Sequence, residues 1–103
     1  MPKYVLAYHG GGMAESEAEQ AKVMEAWGAW FGSLGASVVD GGNPTSMAKT
    51  VATSGVTDGG GANPITGYSL INADSLDDAV SKAQGCPIIA SGGSVEVAET
   101  VEM

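Results

Sequence analysis

Apolar residues recur at intervals of three and four positions through the first third of the chain, which is the period of a helix with one apolar face. The residues that follow this period are Val23, Met24, Trp27, Trp30, Phe31 and Leu34. Ser16 and Glu19 precede them with the spacing of a capping box, in which each side chain satisfies a backbone N–H of the other residue. Gly35 suits the position just after a helix. The pattern predicts a first helix from about Glu17 to Leu34.

Two glycines, Gly28 and Gly32, lie inside this predicted helix. Each costs roughly 1 kcal/mol of stability relative to alanine. Because glycine has no side chain, we expect these positions to let the helix sit close to a sheet.

A second, shorter helical segment carries its apolar residues on one side, at Leu76, Ala79, Val80 and Ala83. Asp74 or Ser75 supplies its N-cap. Gly85, followed by Cys86 and Pro87, ends it, because neither glycine nor proline continues a helix well.

Four segments are short, apolar or alternating, and bounded by turn-forming residues, as strands are. They cover residues 3–8, 38–39, 65–73 and 94–101. Glycines 10–12 end the first of them. The last alternates, and its wet or functional face comprises Ser94, Glu96, Ala98 and Thr100. Residues 47–53 have weaker strand character, and residues 57–64 are expected to form a glycine-rich loop.

The order of these elements is β-α-β-β-α-β, which is the ferredoxin-like arrangement of the α+β class. In that layout both helices cover one face of an antiparallel sheet, and the other face has no helix. An uncovered apolar sheet face has a larger apolar area than a soluble monomer normally exposes to water. The simplest way to bury this face is to pack it against the same face of a second copy, so the pattern predicts a two-fold homodimer.

The composition and net charge limit the classes of binding partner and the cellular compartment that we expect. At 103 residues we expect a single domain over residues 1–103. A formal net charge of −8, from 12 acidic and 4 basic residues, argues against binding to nucleic acid or to anionic membranes. The apolar runs fall far short of the roughly 20 residues of a membrane helix. The amino-terminal KYVLAY lacks signal-peptide features and Cys86 has no cysteine partner, so we expect a cytoplasmic protein.

His9 and Asp40 are the candidate catalytic residues. His9 is the only histidine and follows the first strand beside three glycines, which let a ligand approach the backbone. Histidine acts as a general acid or base near neutral pH. Asp40 follows the second strand, from which a carboxylate could orient the imidazole. The alternatives are a histidine with no chemical role and an aspartate that hydrogen-bonds its own turn.

Four aromatic residues are candidates for ligand binding, namely Tyr8, Trp27, Trp30 and Tyr68. The two tryptophans share a helix face, where packing in the core is the simpler interpretation and the wall of a pocket is the other. The two tyrosines lie on predicted strands, where their hydroxyls could donate to a ligand oxygen or remain in water.

The remaining motifs do not support a metal or a cofactor. One histidine and one cysteine cannot close a zinc site unaided. The glycine runs lack the Lys-Ser/Thr ending of a phosphate loop and the G-x-G-x-x-G spacing of a dinucleotide site. Residues 91–94 lack the G-x-S-x-G elbow that exposes a nucleophile. We therefore expect neither a metal nor a cofactor.

The segment PITGYSLINADSLDDAVSKAQGCPIIASGGSVEV, residues 64–97, resembles the carboxyl half of the YCII-related family of dimeric α/β-barrel proteins. KYVLAY and WFGSLGASVVDGGNP are similar in placement, so the likeness covers nearly the whole chain. One branch of that family has an Asp-Gly-Pro-Phe tetrapeptide, of which residues 58–61 keep the first two positions. The resemblance implies a ferredoxin-like homodimer with a pocket between sheet and helices or inside the barrel. It also implies mostly unassigned functions, with a histidine–aspartate pair proposed for some members.

Two functions from different classes are consistent with these features. The first is a cytosolic homodimer that binds a small organic molecule in a sheet–helix cleft and uses His9 for cofactor-free acid–base chemistry. The second is a non-enzymatic ligand-sensing or assembly module, including a structural partner domain of another protein. A closed pocket that holds His9 with a carboxylate in hydrogen-bond reach favours the first, and an open surface favours the second.

Overall fold

The structure of the chain, a computed structural model, describes residues 2–11 and 16–102. In chain order its elements are β1 (Lys3–His9), α1 (Glu17–Leu34), a short 3₁₀ helix (Gly35–Ser37), β2 (Val38–Asp40), β3 (Lys49–Ala52), β4 (Gly55–Asp58), β5 (Ile65–Asn72), α2 (Leu76–Ala83), α3 (Pro87–Ala90) and β6 (Ser94–Glu99). Gly12, the last glycine of the predicted break after β1, lies outside the described residues.

Four strands form the main sheet in the order β2-β5-β1-β6, and every neighbouring pair is antiparallel. The central strand β1 pairs with β5 on one side and with β6 on the other. The α+β class and the antiparallel sheet predicted from the sequence are therefore confirmed, and the strand order agrees with a ferredoxin-like arrangement.

Both long helices begin at serine caps. The Ser16 side chain accepts a hydrogen bond from the backbone N–H of Glu19 at 3.2 Å, and α1 then runs to the predicted residue. Ser75 rather than Asp74 caps α2, because its side chain accepts from the backbone N–H of Asp78 at 3.1 Å. Asp78 also binds Lys82 at 2.8 Å, one helical turn further on. The helix signals in the sequence were thus sufficient to locate both helices.

A β-hairpin inserted between β2 and β5 differs from the prediction. Strand β3 lies within the weak strand segment 47–53, but its partner β4 takes in Thr57 and Asp58, which the sequence placed in a loop. The reason is a two-residue turn at Thr53 and Ser54, after which Gly55 pairs with Ala52 at a φ of 128° and Val56 lies opposite Val51. This two-stranded unit is separate from the main sheet, and all its residues are exposed.

The helix α3 was also missed, since Pro87 was interpreted only as the end of α2. Proline is favoured in the first turn of a helix, where its missing N–H has no intrahelical partner to lose. Here Pro87 starts a single turn whose Ile88 is buried against the core.

The core lies between the helices and one face of the main sheet. Cross-strand partners share a face, so Tyr4, Leu6 and Tyr8 of β1 point the same way as Ile71, Ser69 and Gly67 of β5. These residues are buried with Trp30, Ala79, Ala83, Cys86 and Ile88 from the helical layer. The opposite face bears Val5, Ala7, Tyr68 and Leu70, which are half-buried, and the exposed Ala98. We call this opposite side the helix-free face.

The first helix does not pack tightly on the sheet along its whole length. Only Trp30 is buried in α1, and Val23 and Met24 are exposed. An added Cβ at Gly28 or Gly32 would meet no atom within 4 Å, so the expectation that these glycines permit close packing is wrong. The amino-terminal half of α1 instead stands away from the sheet and borders a cleft.

Candidate functional site

A cleft of about 540 Å³ lies between α1 and the edge of the main sheet. Its lining consists of Tyr8, Gln20, Val23, Met24, Trp27, Phe31, Gly41, Gly42, Asn43, Pro44, Thr66, Gly67, Tyr68 and Ile88. One wall is therefore α1, and the facing wall is the segment after β2 together with the start of β5. Clefts of this size and apolar character are the usual form of small-molecule sites.

Two aromatic rings of α1, those of Trp27 and Phe31, line the helix side of the cleft. The ring of Trp27 meets Tyr8 edge to face, with centroids 5.1 Å apart and planes at 79°. Its centroid lies 5.9 Å from that of Phe31. In the pair of Trp27 and Tyr8, the edge of one ring is attracted to the face of the other, whereas the rings of Trp27 and Phe31 are tilted at 38°. The cleft therefore presents a preformed aromatic surface.

Three of the four predicted ligand-binding residues, Tyr8, Trp27 and Tyr68, line this cleft, and Trp30 does not. Trp30 is buried, and its Nε1 donates to the carbonyl oxygen of Lys82 at 3.0 Å. That bond connects α1 to α2, so Trp30 has the structural environment of a core residue.

The hydroxyl of Tyr8 begins a buried hydrogen-bond chain. It donates to Oγ of Ser69 at 2.7 Å, and Ser69 donates to the carbonyl oxygen of Gly41 at 2.7 Å. Burial raises the pKa of Tyr8 to about 12, although the bond to Ser69 acts in the opposite direction. Tyr8 therefore stays protonated at neutral pH, with its proton directed away from any ligand.

The segment after β2 is shaped by a turn that requires glycine. Gly42 has a φ of 73°, and a Cβ there would overlap the carbonyl oxygen of Tyr68. The backbone N–H of Gly42 donates to Oδ1 of Asp40 at 2.8 Å. Asp40 therefore holds its own turn, which was one of the two interpretations open from the sequence.

His9 lies on the helix-free face, on the other side of the sheet from the cleft. Its Nδ1 is 3.1 Å from the carbonyl oxygen of Pro64, and its Nε2 is 3.1 Å from Oε1 of Glu96. The His9 side chain is only 11% exposed, whereas the Glu96 side chain is 67% exposed. The carboxylate that contacts the imidazole thus comes from β6.

The structure does not bring Asp40 to His9. Asp40 is registered with Leu70, whose partner on β1 is Val5, four residues along the strand from His9. The histidine–aspartate pair expected at one site is replaced by a contact between His9 and Glu96. Alternation had placed Glu96 on a wet or functional face, but only the register of β6 against β1 shows that this face is the one His9 occupies.

The predicted site residues therefore fall into two groups, separated by the thickness of the sheet. Tyr8 and Trp27 line the cleft from the helical side of the sheet, and His9 belongs to the helix-free face with Glu96. Tyr68 lies on the helix-free face in β5 and also contributes to the lining of the cleft, next to Gly42. Neighbouring residues on a strand point to opposite faces, so Tyr8 and His9 cannot both face the cleft. His9 meets one of the two conditions for the enzyme hypothesis, a carboxylate in reach, but it does not lie in the cleft.

Within residues 2–11 and 16–102, no three side chains of histidine, cysteine, aspartate or glutamate gather as metal ligands would. Among the helices described, none is both long enough and apolar enough to cross a membrane.

Comparison with known proteins gives a likeness of fold. No protein-family model matches the chain, and no curated protein matches it either. Among solved structures, the chain is similar to 5-chloro-2-hydroxyhydroquinone dehydrochlorinase from Burkholderia phenoliruptrix, in complex with 2,5-dihydroxybenzoquinone. The TM-score is 0.58 at 16% identity, over 98% of this chain and 95% of that one. The two chains therefore share a fold over nearly their whole length.

Proposed function

We propose that the protein binds a small organic molecule in the cleft between α1 and the main sheet. The observation that carries this proposal is the cleft itself, about 540 Å³ in volume and walled by Trp27, Phe31 and Tyr8. Burial of a ring against these residues removes apolar surface from water on both partners. The aromatic pairs are already in contact in the free chain, so little ordering is needed on binding.

The structural neighbour supports the same proposal. It carries the chain's fold and was solved with a ligand built on one six-membered ring, 2,5-dihydroxybenzoquinone. A ring of that size fits well within the volume of this cleft. The likeness, together with the motifs of residues 64–97, supports membership of the YCII-related family.

The protein is further proposed to act as a homodimer through the helix-free face. That face combines Val5, Ala7, Leu70 and Ala98 on strands that no helix covers. Pairing two such faces around a two-fold axis would bury them, because each patch meets its own copy. In the dimer the cleft stays accessible, since it lies on the other side of the sheet.

Acid–base chemistry by His9 is the second candidate function, and its contact with Glu96 favours it. A carboxylate that contacts one ring nitrogen orients an imidazole. Because His9 lies across the sheet from the cleft, this chemistry would need a substrate at the helix-free face or between two copies. A ligand-sensing or assembly module needs only the cleft or the dimer surface.

A binding experiment tests the cleft. Small aromatic compounds, among them hydroquinone and methyl 4-hydroxybenzoate, are titrated while tryptophan fluorescence and melting temperature are followed. The expected result is quenching and a raised melting temperature for wild type, both lost in Trp27→Ala. The control is Met47→Ala. Met47 lies just before β3, is 97% exposed and does not line the cleft. Equal binding by Trp27→Ala and wild type would refute the proposed site.

Light scattering after size exclusion tests the assembly. We expect about twice the monomer mass of 10.3 kDa. Leu70→Glu places a charge on the helix-free face and should give a monomer. Val51→Glu adds the same charge to a residue that is 79% exposed on the hairpin and should remain dimeric. A wild-type monomer at micromolar concentration would remove the dimer from the proposal.

A further inference from the structure

The lining of the cleft differs from the composition of the chain as a whole in its content of charged side chains. The chain carries 12 acidic and 4 basic residues, yet among the described residues none of those lining the cleft is aspartate, glutamate, lysine, arginine or histidine. From this we infer that the cleft selects an uncharged aromatic molecule and rejects the corresponding anion. The inference rests on the proposed function, because it concerns the ligand of the same site.

The distribution of the basic residues leaves an anion without a partner in the cleft. Lys82 is paired with Asp78 at 2.8 Å, and Lys49 with Asp58 at 2.6 Å. Neither Lys3 nor Lys22, the two other basic residues, belongs to the lining. An anion entering the cleft would lose hydration, gain no cationic partner and meet the field of a chain with a net charge of −8.

Of the three residues with hydroxyl groups in the lining, Tyr68 lies on the helix-free face of β5, and the other two have their protons already committed. The hydroxyl of Tyr8 donates to Ser69, and that of Thr66 donates to the carbonyl oxygen of Gly10 at 3.2 Å. Stabilisation of an oxyanion requires donors aimed at it, so these two groups do not supply it. The amides of Gln20 and Asn43 add polar contacts without charge at exposed positions of the lining. These contacts suit neutral hydroxyl or carbonyl substituents.

A matched pair of probes separates charge from shape. Methyl 4-hydroxybenzoate and 4-hydroxybenzoate share a hydroxylated ring, and only the second carries a negative charge at pH 7. Titration calorimetry should give at least tenfold tighter binding of the ester by wild type. 2,5-Dihydroxybenzoquinone has acidic hydroxyl groups that are ionised at neutral pH, so we also expect it to bind more weakly than hydroquinone.

A charge added to the cleft should reverse the preference. Gln20 is an exposed residue of α1 at the lining, so Gln20→Arg puts a cation beside the ligand with little effect on folding. This variant should bind 4-hydroxybenzoate at least tenfold more tightly than wild type does. Met47→Arg adds the same charge at a fully exposed residue outside the cleft and controls for net charge. It should keep the wild-type ratio of ester to acid.

The outcomes are distinguishable. Tighter binding of the ester, lost only in Gln20→Arg, supports the inference. Equal or tighter binding of the acid by wild type overturns the inference and leaves the cleft as a ligand site. Binding of neither probe or hydroquinone, to wild type or variants, counts against the cleft itself and so overturns the proposed function along with the inference.

Discussion

Nε2 of His9 lies 3.1 Å from Oε1 of Glu96, on the face of the sheet opposite the aromatic cleft. The other ring nitrogen, Nδ1, lies 3.1 Å from the carbonyl oxygen of Pro64. A carbonyl and an ionised carboxylate can only accept hydrogen bonds. Both contacts are therefore hydrogen bonds only when the ring carries a proton on each nitrogen. A neutral ring carries a proton on only one of its two nitrogens. Its other nitrogen then faces an acceptor oxygen with no hydrogen to share.

The first prediction concerns the proton position in Glu96→Gln. An amide can donate to Nε2, so the neutral ring of the variant keeps both contacts with its single proton on Nδ1. Nitrogen-15 spectra of the imidazole measure this directly, because His9 is the only histidine of the chain. Glu99→Gln, on the same strand but not at His9, is the control. A variant ring with its proton on Nε2 would contradict the geometry.

The second prediction compares Tyr8→Phe with Ser69→Ala. Tyr8→Phe removes one hydrogen bond and should cost about 1 kcal/mol in the free energy of unfolding. Ser69→Ala leaves the buried Tyr8 hydroxyl and the Gly41 carbonyl without this partner, so its cost should be larger, about 1–3 kcal/mol. Urea denaturation measures both changes. Equal costs would show that Ser69 does not link the two groups.

The third prediction is a loss of stability at alkaline pH. Burial raises the pKa of Tyr8 from 10.0 to about 12 and that of Cys86 from 9.0 to about 11. In each interval the unfolded chain releases a proton that the folded chain retains, so rising pH favours unfolding. These contributions are fully present below pH 9 and disappear as the pH rises through about 11 for Cys86 and about 12 for Tyr8.

Variants assign this pH dependence to the two groups. Tyr8→Phe should flatten the decline of the melting temperature between pH 10 and 12, and Cys86→Ala should flatten it between pH 9 and 11. Tyr68→Phe, on the helix-free face, controls for a tyrosine outside the core. An unchanged slope in both core variants would show that these groups ionise alike in the folded and unfolded chains.

The fourth prediction uses two glycines in opposite environments. Gly28→Ala should raise stability by about 1 kcal/mol, because alanine is the better helix former and its Cβ would meet no neighbouring atom. Gly42→Ala should lower stability by more than about 2 kcal/mol, because a left-handed φ and the overlap with Tyr68 both oppose a side chain. Thermal unfolding checks the pair, and a Gly42→Ala variant as stable as wild type would contradict the assignment.

The helices were predictable because their signals are local. Ser16 and Ser75 cap helices within three residues, so the sequence contains both partners of each capping bond at close spacing. The hairpin was only half predictable, since Val51 and Val56 become cross-strand partners only through the turn at Thr53 and Ser54. Pro87 was ambiguous in the sequence, because proline both ends one helix and begins another.

The candidate site depended on contacts between distant residues. Trp27 and Trp30 have the same apolar pattern, yet one lines the cleft and the other donates to Lys82 in the core. Their difference arises from where α1 leaves the sheet, which no short stretch of sequence encodes. The partner of His9 is likewise 87 positions away, and pairing of β6 with β1 brings it there.

By itself, the sequence determined the α+β class, both long helices and an uncharged set of aromatic residues within an acidic chain. These follow from period, capping and composition, which act over a few residues or over the whole chain. The tertiary structure alone decided that the aromatic cleft lies on the Tyr8 side of the sheet, and that Glu96 rather than Asp40 contacts the imidazole of His9. The physical reason is strand register, which fixes the partners of every side chain across the sheet.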